Sequence, residues 1–160
     1  MEKLLIEGLQ EMYYAEQQLV DALDTLSQQT SDQATSDAFS EHREETQGHV
    51  DRLEQVFESI GEEPRTRTDA VVDALVQEHE AFADENDGEV LDRYTLSTGQ
   101  KTEHYEIAAY GNLTSIAGEL GYEEAADLLE ETLREEEDAL DELSRVGDRF
   151  DEQEIAGAAD

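Results

Sequence analysis

The chain of 160 residues is one ordinary domain, and its 44 acidic against 10 basic side chains give a formal charge of −34. Such a field repels phosphate backbones and anionic membranes, which excludes nucleic-acid binding of the basic-patch kind. The absence of cysteine excludes disulfides, zinc–thiolate sites and thiol nucleophiles.

The acidic residues are spread over the whole length, as on a folded surface that stays hydrated in concentrated salt. Salt screens the self-repulsion of that surface, so a halophilic, salt-accumulating cytoplasm is expected. The amino-terminal residues enter an amphipathic pattern directly, with no apolar run of signal-peptide type and no membrane-spanning stretch, so a cytoplasmic protein with no membrane partner is expected.

Apolar residues recur at spacings of three and four, which predicts an all-α fold. A first helix is predicted over residues 2–29, with the stripe Leu5, Leu9, Met12, Glu16, Leu19, Leu23, Leu26. The polar stretch 29–36 supplies a turn, with Ser36 as N-cap of a second helix over 37–60 that stops at Gly61. Its stripe is Phe39, His42, Thr46, His49, Leu53, Val56, Ile60. A long connection from Gly61 to Gly88 carries a short amphipathic helix over 69–83. A third helix over 89–120 has the stripe Leu96, Gly99, Glu103, Glu106, Tyr110, Leu113, Ala117, Leu120. Gly121 then stops it before a fourth, over 122–146, with Leu129, Leu133, Glu136, Leu140 and Leu143. The domain is placed at 1–147, followed by an acidic tail over 148–160 whose last ten residues read as frayed. Two helical hairpins joined by one long crossover is the connectivity of a ferritin-like four-helix bundle.

Each of the four stripes is broken near its middle by an acidic or imidazole side chain. An ionised carboxylate facing a core costs several kcal/mol unless it is paired. The predicted helix midpoints fall near residues 15, 48, 104 and 134, so Glu16, His49, Glu103, Glu106 and Glu136 lie within about 3 Å of one level along the axes. Carboxylates that bridge two hard cations, with imidazole as a terminal ligand, are what a di-iron or di-manganese centre needs. Four glutamates balance two divalent ions, and Glu45 adds a fifth negative charge for a more oxidised pair.

Blander readings stand beside these. Glu16 can be an interface residue whose carboxylate snorkels to water. Glu136 lies in the run REEED and is set apart from its neighbours only by its register, with Glu135 as its substitute. His42 lies nearly two turns nearer the helix start than His49, which suggests outer support, a peripheral ligand or a buried hydrogen-bonding role. His79 and His104 read as surface residues. Tyr13, Tyr105 and Tyr110 read as core, within reach of a carboxylate. Gly48, Gly111 and Gly118, each costing about 1 kcal/mol inside a helix, suggest close helix approach or a dimer face.

The blocks EMYYAEQQLVDAL, EHREETQGHVDRLEQVF, TEHYEIAAYGNL and LLEETLREEE, in that order and spacing, resemble the YciE/YciF family of ferritin-like proteins over about residues 1–147. The resemblance implies a homodimeric helical bundle regarded as a di-iron ferroxidase-type or stress-associated protein. It places the metal positions on Glu16, His49, Glu103, Glu106 and Glu136. The wider ferritin-like pattern has Glu-x-x-His on two helices, whereas this chain has Thr46-x-x-His49 and Glu136-x-x-Ala139. One glutamate and one histidine are therefore wanting, with Glu45 and the Glu103/Glu106 pair as compensation.

Two functions are expected from the residues. One is oxidation of iron(II) by a two-ion centre, with manganese as the alternative metal. The other is a metal-free dimeric helical structural or interaction protein of the stress response, whose buried polar groups fix helix register. The charge also sets a testable expectation: the melting temperature rises steadily through a salt series, and one that does not change with salt overturns the halophilic reading.

Overall fold

The structure is a computed structural model and describes residues 1–156. It contains helices α1 (Glu2–Gln29), α2 (Gln33–Ser59), α3 (Ala70–Ala83), α4 (Gly88–Glu119) and α5 (Glu123–Phe150), followed by a π-helical turn, Asp151–Ala156. There is no strand among the described residues, so the all-α expectation holds. None of the described helices is long and apolar enough to cross a membrane.

Local sequence explains most of the helix ends. The carboxylate of Asp32 accepts the Thr35 N–H at 2.8 Å, so α2 begins at Gln33 rather than after Ser36. The Ser36 hydroxyl instead donates to the Ser27 carbonyl at 2.6 Å, tying the start of α2 to the end of α1. Asp69 caps α3 by accepting from the N–H groups of Val71 and Val72. Gly61 and Gly121 have φ of 76° and 82°, a left-handed conformation that suits glycine. At both, a paired set of bonds closes the helix: Gly121 N–H to Gly118 and Tyr122 N–H to Ala117, Gly61 N–H to Glu58 and Glu62 N–H to Phe57.

α1 packs along α2 and α4 along α5, and the two hairpins meet through α2 with α5 and α1 with α4. The crossover returns past α1, where Arg67 donates its N–H to the Gln10 carbonyl and pairs with Glu7 and Glu11. It then lays α3 chiefly against α4. The core falls into two apolar clusters. One includes Leu5, Leu9, Met12, Leu53, Phe57, Leu113 and Leu129, the other Leu23, Phe39, Leu96, Leu143 and Val146. Each such side chain contributes roughly 1.5–3 kcal/mol when fully buried. On α2, α4 and α5 the residues between these clusters are the ones that break the stripes, and on α1 Glu16 lies between Ala15 and Leu19 of the first.

The glycine expectation is corrected within the chain. A Cβ on Gly48, Gly111 or Gly118 meets nothing within 4 Å. Close approach occurs at Gly8, where a Cβ would lie 2.7 Å from Leu113 Cδ2, and at Gly99, 3.1 Å from Leu143 Cδ1. Past the expected end at Val146, α5 continues to Phe150, and Arg93 holds the next turn through a paired contact with Asp151 at 2.6 and 3.0 Å. Residues 157–160 of the expected tail lie outside the described residues.

The left-handed turn after α4 gives a direct test. Gly121→Ala is expected to lower stability by roughly 1–2 kcal/mol, the cost of placing a Cβ in that conformation. An unchanged urea midpoint would show that the turn is not constrained as described.

Candidate metal centre

The polar layer is built from the centres of four helices. Glu16 sits halfway along α1, Glu103 and Glu106 near the middle of α4, and Glu136 at the middle of α5. All four are buried, as is His49. A glutamate in this position cannot snorkel, so the interface reading of Glu16 is set aside.

The midpoint of α2 is Thr46, which lies between His42 and His49. The two imidazoles are seven residues apart, on one face of the helix. His49 Nδ1 lies 3.0 Å from Glu136 Oε1 and 3.5 Å from Glu16 Oε1, and His42 Nε2 lies 2.9 Å from Glu103 Oε1. Two groups with donor atoms mutually within 4.8 Å result: Glu16, His49 and Glu136, and His42, Glu103 and Glu136. Glu136 belongs to both. Glu106 adjoins Glu16, Glu136 and Glu103, all of which act on its titration.

Of the expected ligands, Glu16, His49, Glu103, Glu106 and Glu136 are brought together and Glu45 is not. Its side chain is 55% exposed and reaches His42 Nδ1 from outside at 3.5 Å. Glu135 likewise stays outside, accepting from His49 Nε2 at 2.9 Å. It is clamped by Arg52, whose two terminal nitrogens reach its two oxygens at 2.7 and 3.1 Å. Each imidazole thus presents one nitrogen to the interior and the other to an outer carboxylate. That arrangement fixes the ring and the tautomer of a ligating histidine.

His42, expected at the edge of the site, belongs to the layer itself. Its register on the stripe was legible, but starting α2 at residue 37 moved the apparent midpoint toward His49. His79 is a second correction: it is buried and shares a 2.8 Å hydrogen bond with Thr95 Oγ1. Its neighbour Tyr94 covers the ring. His104 is exposed, as expected. All three tyrosines donate to carboxylates: Tyr13 to Glu54 at 2.8 Å, Tyr105 to Asp69 and Tyr110 to Glu16 Oε1.

After these bonds, six buried donor atoms in the layer lack a hydrogen-bond partner among the described residues. They are Glu16 Oε2, His49 Nδ1, Glu103 Oε2, Glu106 Oε1 and both oxygens of Glu136. His49 Nδ1 is close to Glu136 but not aligned for a hydrogen bond. Unsatisfied buried polar atoms are costly and uncommon, and here they are clustered. Carboxylate and imidazole donors that face one another suit hard divalent cations, so the residues fit a two-ion centre.

Electrostatics points the same way. Burial pushes the Glu16 carboxyl up, opposed by His49 and supported by Glu136. Burial pushes Glu106 well above the usual range, helped by Glu136 and Glu16. Glu136 is raised by burial to about 7, although His49 pulls it back. Burial alone would lower both histidines, but Glu103 and Glu45 raise His42 to about 10, and Glu136 and Glu16 raise His49 to about 11. Without a metal, then, the layer holds protons.

Those protons make the metal-free fold pH-sensitive. A group whose pKa is raised on folding contributes stability that is complete below its ordinary value and disappears as the pH passes its folded value. For the histidines that window runs from 6.5 up to about 10 and 11, and for Glu136 from 4.5 to about 7. Chelated protein is therefore expected to melt at progressively lower temperature between roughly pH 6 and pH 10. Metal loading should flatten or reverse that trend, because ligands deprotonate to bind. A chelated protein with a melting temperature independent of pH would contradict the buried proton network.

Comparison with known proteins agrees with this architecture. A family model described as Domain of unknown function (DUF892) matches residues 1–156. Protein YciF of Escherichia coli strain K12 is 42% identical over 138 residues, covering 85% of this chain and 83% of that protein. The crystal structure of the E. coli stress protein YciF superposes with a TM-score of 0.89 at 37% identity, covering 93% of this chain and 95% of the other. YcfI of Rhodopseudomonas palustris, to which a structural role is ascribed, superposes at 0.87 with 39% identity, covering 90% and 92%.

Proposed function

The chain belongs to the DUF892 family, and on that premise we propose that it is a ferritin-like four-helix-bundle protein of the YciF kind that binds two iron ions and oxidises iron(II). Manganese is the alternative metal. The observation that carries this reading is the pool of six unpartnered donor atoms at one level of the interior.

Glu16, His49 and Glu136 would hold one ion, and His42, Glu103 and Glu136 the other, with Glu106 beside both. Iron bound there supplies one-electron exchange between its divalent and trivalent states, with dioxygen or peroxide taking the electrons. The chain's own part is to hold the donors in place. Tyr110 engages Glu16 Oε1 and leaves the buried Oε2 without a partner among the described residues, while Arg52 fixes Glu135 and through it His49. The carboxylates tolerate both oxidation states because four of them balance two divalent charges and the outer Glu45 offsets further positive charge.

Anaerobic loading with iron(II), metal analysis and the optical change on admitting oxygen test the proposal. Wild-type protein is expected to retain about two ions per chain, one per donor group, and Glu136→Ala, which removes the residue common to both groups, fewer than about one. Equal metal content and equal oxidation in the two proteins would overturn it.

One observation favours a second reading. The raised histidines, at about 10 and 11, let protons offset much of the buried charge in a metal-free structural protein that uses the layer to set helix register. Protein purified without added ions that contains no transition metal, and melts identically with and without chelator, would favour that reading.

A further inference from the structure

Beside the polar layer lies a cavity of about 100 Å³ that no part of the metal reading requires. All five helices contribute to its walls: Leu19 and Leu23 of α1, Phe39 of α2, Leu75 and Val76 of α3, Gly99 of α4 and Leu143 of α5. Its inner end meets His42, Glu103 and Glu106, with the imidazole 2.9 Å from Glu103 and each glutamate keeping a buried carboxylate oxygen without a partner among the described residues. The exposed Thr25 and Glu80 mark its outer end, next to the half-buried Ala22. Thr98 lies along its wall, and its buried hydroxyl is also without a partner among the described residues. The buried His79 on its wall is held below its ordinary pKa by burial and adds no charge there.

We propose that this cavity binds a small, neutral, mainly apolar molecule carrying one hydrogen-bonding group, and brings it to the inner edges of Glu103 and Glu106. Its adjacency to bound ions rests on the two-metal reading; its affinity for apolar molecules does not.

Size, polarity and charge select this class together. An apolar cavity of roughly 150 Å³ takes up benzene or xenon, so about 100 Å³ suits a molecule of about five heavy atoms. Away from its inner end the apolar walls give an ion no replacement for its water. Anions are further opposed by the two carboxylates at the inner end and by the net charge of −34. The unpartnered Thr98 hydroxyl offers one hydrogen bond, which a hydroxyl or carbonyl group on the ligand would complete.

The crossover explains why the cavity exists at this place. α3 lies against α4, and Leu75 and Val76 supply the α3 wall of the cavity that Glu103 and Glu106 also line. Two further contacts fix α3: the Tyr14 hydroxyl donates to Asp73 at 2.8 Å, and His79 bonds Thr95 at 2.8 Å.

The test uses methyl-labelled full-length protein as purified, titrated separately with xenon, 1-butanol and butyrate while the Leu23, Val76 and Leu143 methyl resonances are followed. Xenon and 1-butanol are expected to shift these resonances saturably, and butyrate, with the same carbon chain and a negative charge, to leave them unmoved. Thr98→Val should weaken 1-butanol about fivefold through the lost hydrogen bond while leaving xenon unchanged. Ala22→Leu, which fills the outer end, should weaken both probes about tenfold. Absence of saturable shifts with xenon and 1-butanol, or equal binding of butyrate, overturns the proposal. So does indifference of 1-butanol to Thr98→Val. Probe uptake by protein that binds no metal would refute the two-metal reading alone, and failed uptake by protein that loads iron normally would refute the cavity proposal alone.

Discussion

Four carboxylates gathered inside one level of a helical protein demand compensation, and the surrounding structure is organised around supplying it. An isolated buried carboxylate costs several kcal/mol, and burial together with neighbouring carboxylates raises the proton affinity of Glu16, Glu106 and Glu136. The chain meets the demand with two imidazoles from a single helix, a tyrosine hydroxyl on Glu16, and six donor atoms left open toward a common centre. Replacing such a layer with leucine would give a better apolar core, since buried ionic groups are seldom retained for stability alone. The cost is borne by the two apolar clusters on either side.

Position on the helix decides which of two adjacent acidic residues does what. Glu135 and Glu136 are neighbours in a run of like residues, yet Glu136 points between the helices and Glu135 toward the edge. There Arg52 neutralises Glu135 and His49 donates to it. Opposed by burial but dominated by Arg52, Glu135 is held below the ordinary carboxylate range, while its neighbour is raised. Glu45 repeats the arrangement at the other imidazole, where His42 keeps its carboxyl low. Inner carboxylates able to exchange protons for cations are therefore backed by outer ones that stay ionised and orient the rings between them.

Much of this was legible in the sequence because a heptad stripe records depth and facing together. Glu16, Glu103, Glu106 and Glu136 stood out as polar residues at apolar positions, and all four are buried. What went astray came from helix ends. Periodicity is nearly silent over residues 33–36, so the start of α2 depends on whether Asp32 or Ser36 acts as cap, and Asp32 does so with a 2.8 Å bond. That shift moved the centre of α2 to Thr46 and admitted His42 to the layer. His79 was hidden for another reason. A short helix presents too few turns to define its buried face, and the contacts that cover His79 come from Tyr94 and Thr95 on α4. Partners on another helix of this kind leave no trace in local pattern.

The crossover connects these points. A connection long enough to travel between the ends of two hairpins need only be a strand of coil, yet this one spends fourteen residues on α3. It is anchored at its start by Asp69, which caps the helix and accepts from Tyr105, and along its length by Tyr14 and Thr95. Anchored in this way, Leu75 and Val76 are held opposite the carboxylate pair of α4. With coil in place of α3 the cavity would lose its Leu75 and Val76 wall, and the Glu106 carboxyl, raised by burial, would relax toward its ordinary value as water reached it. The added helix is thus part of the electrostatics of the site: it keeps the dielectric around the carboxylates low enough for their mutual repulsion to matter.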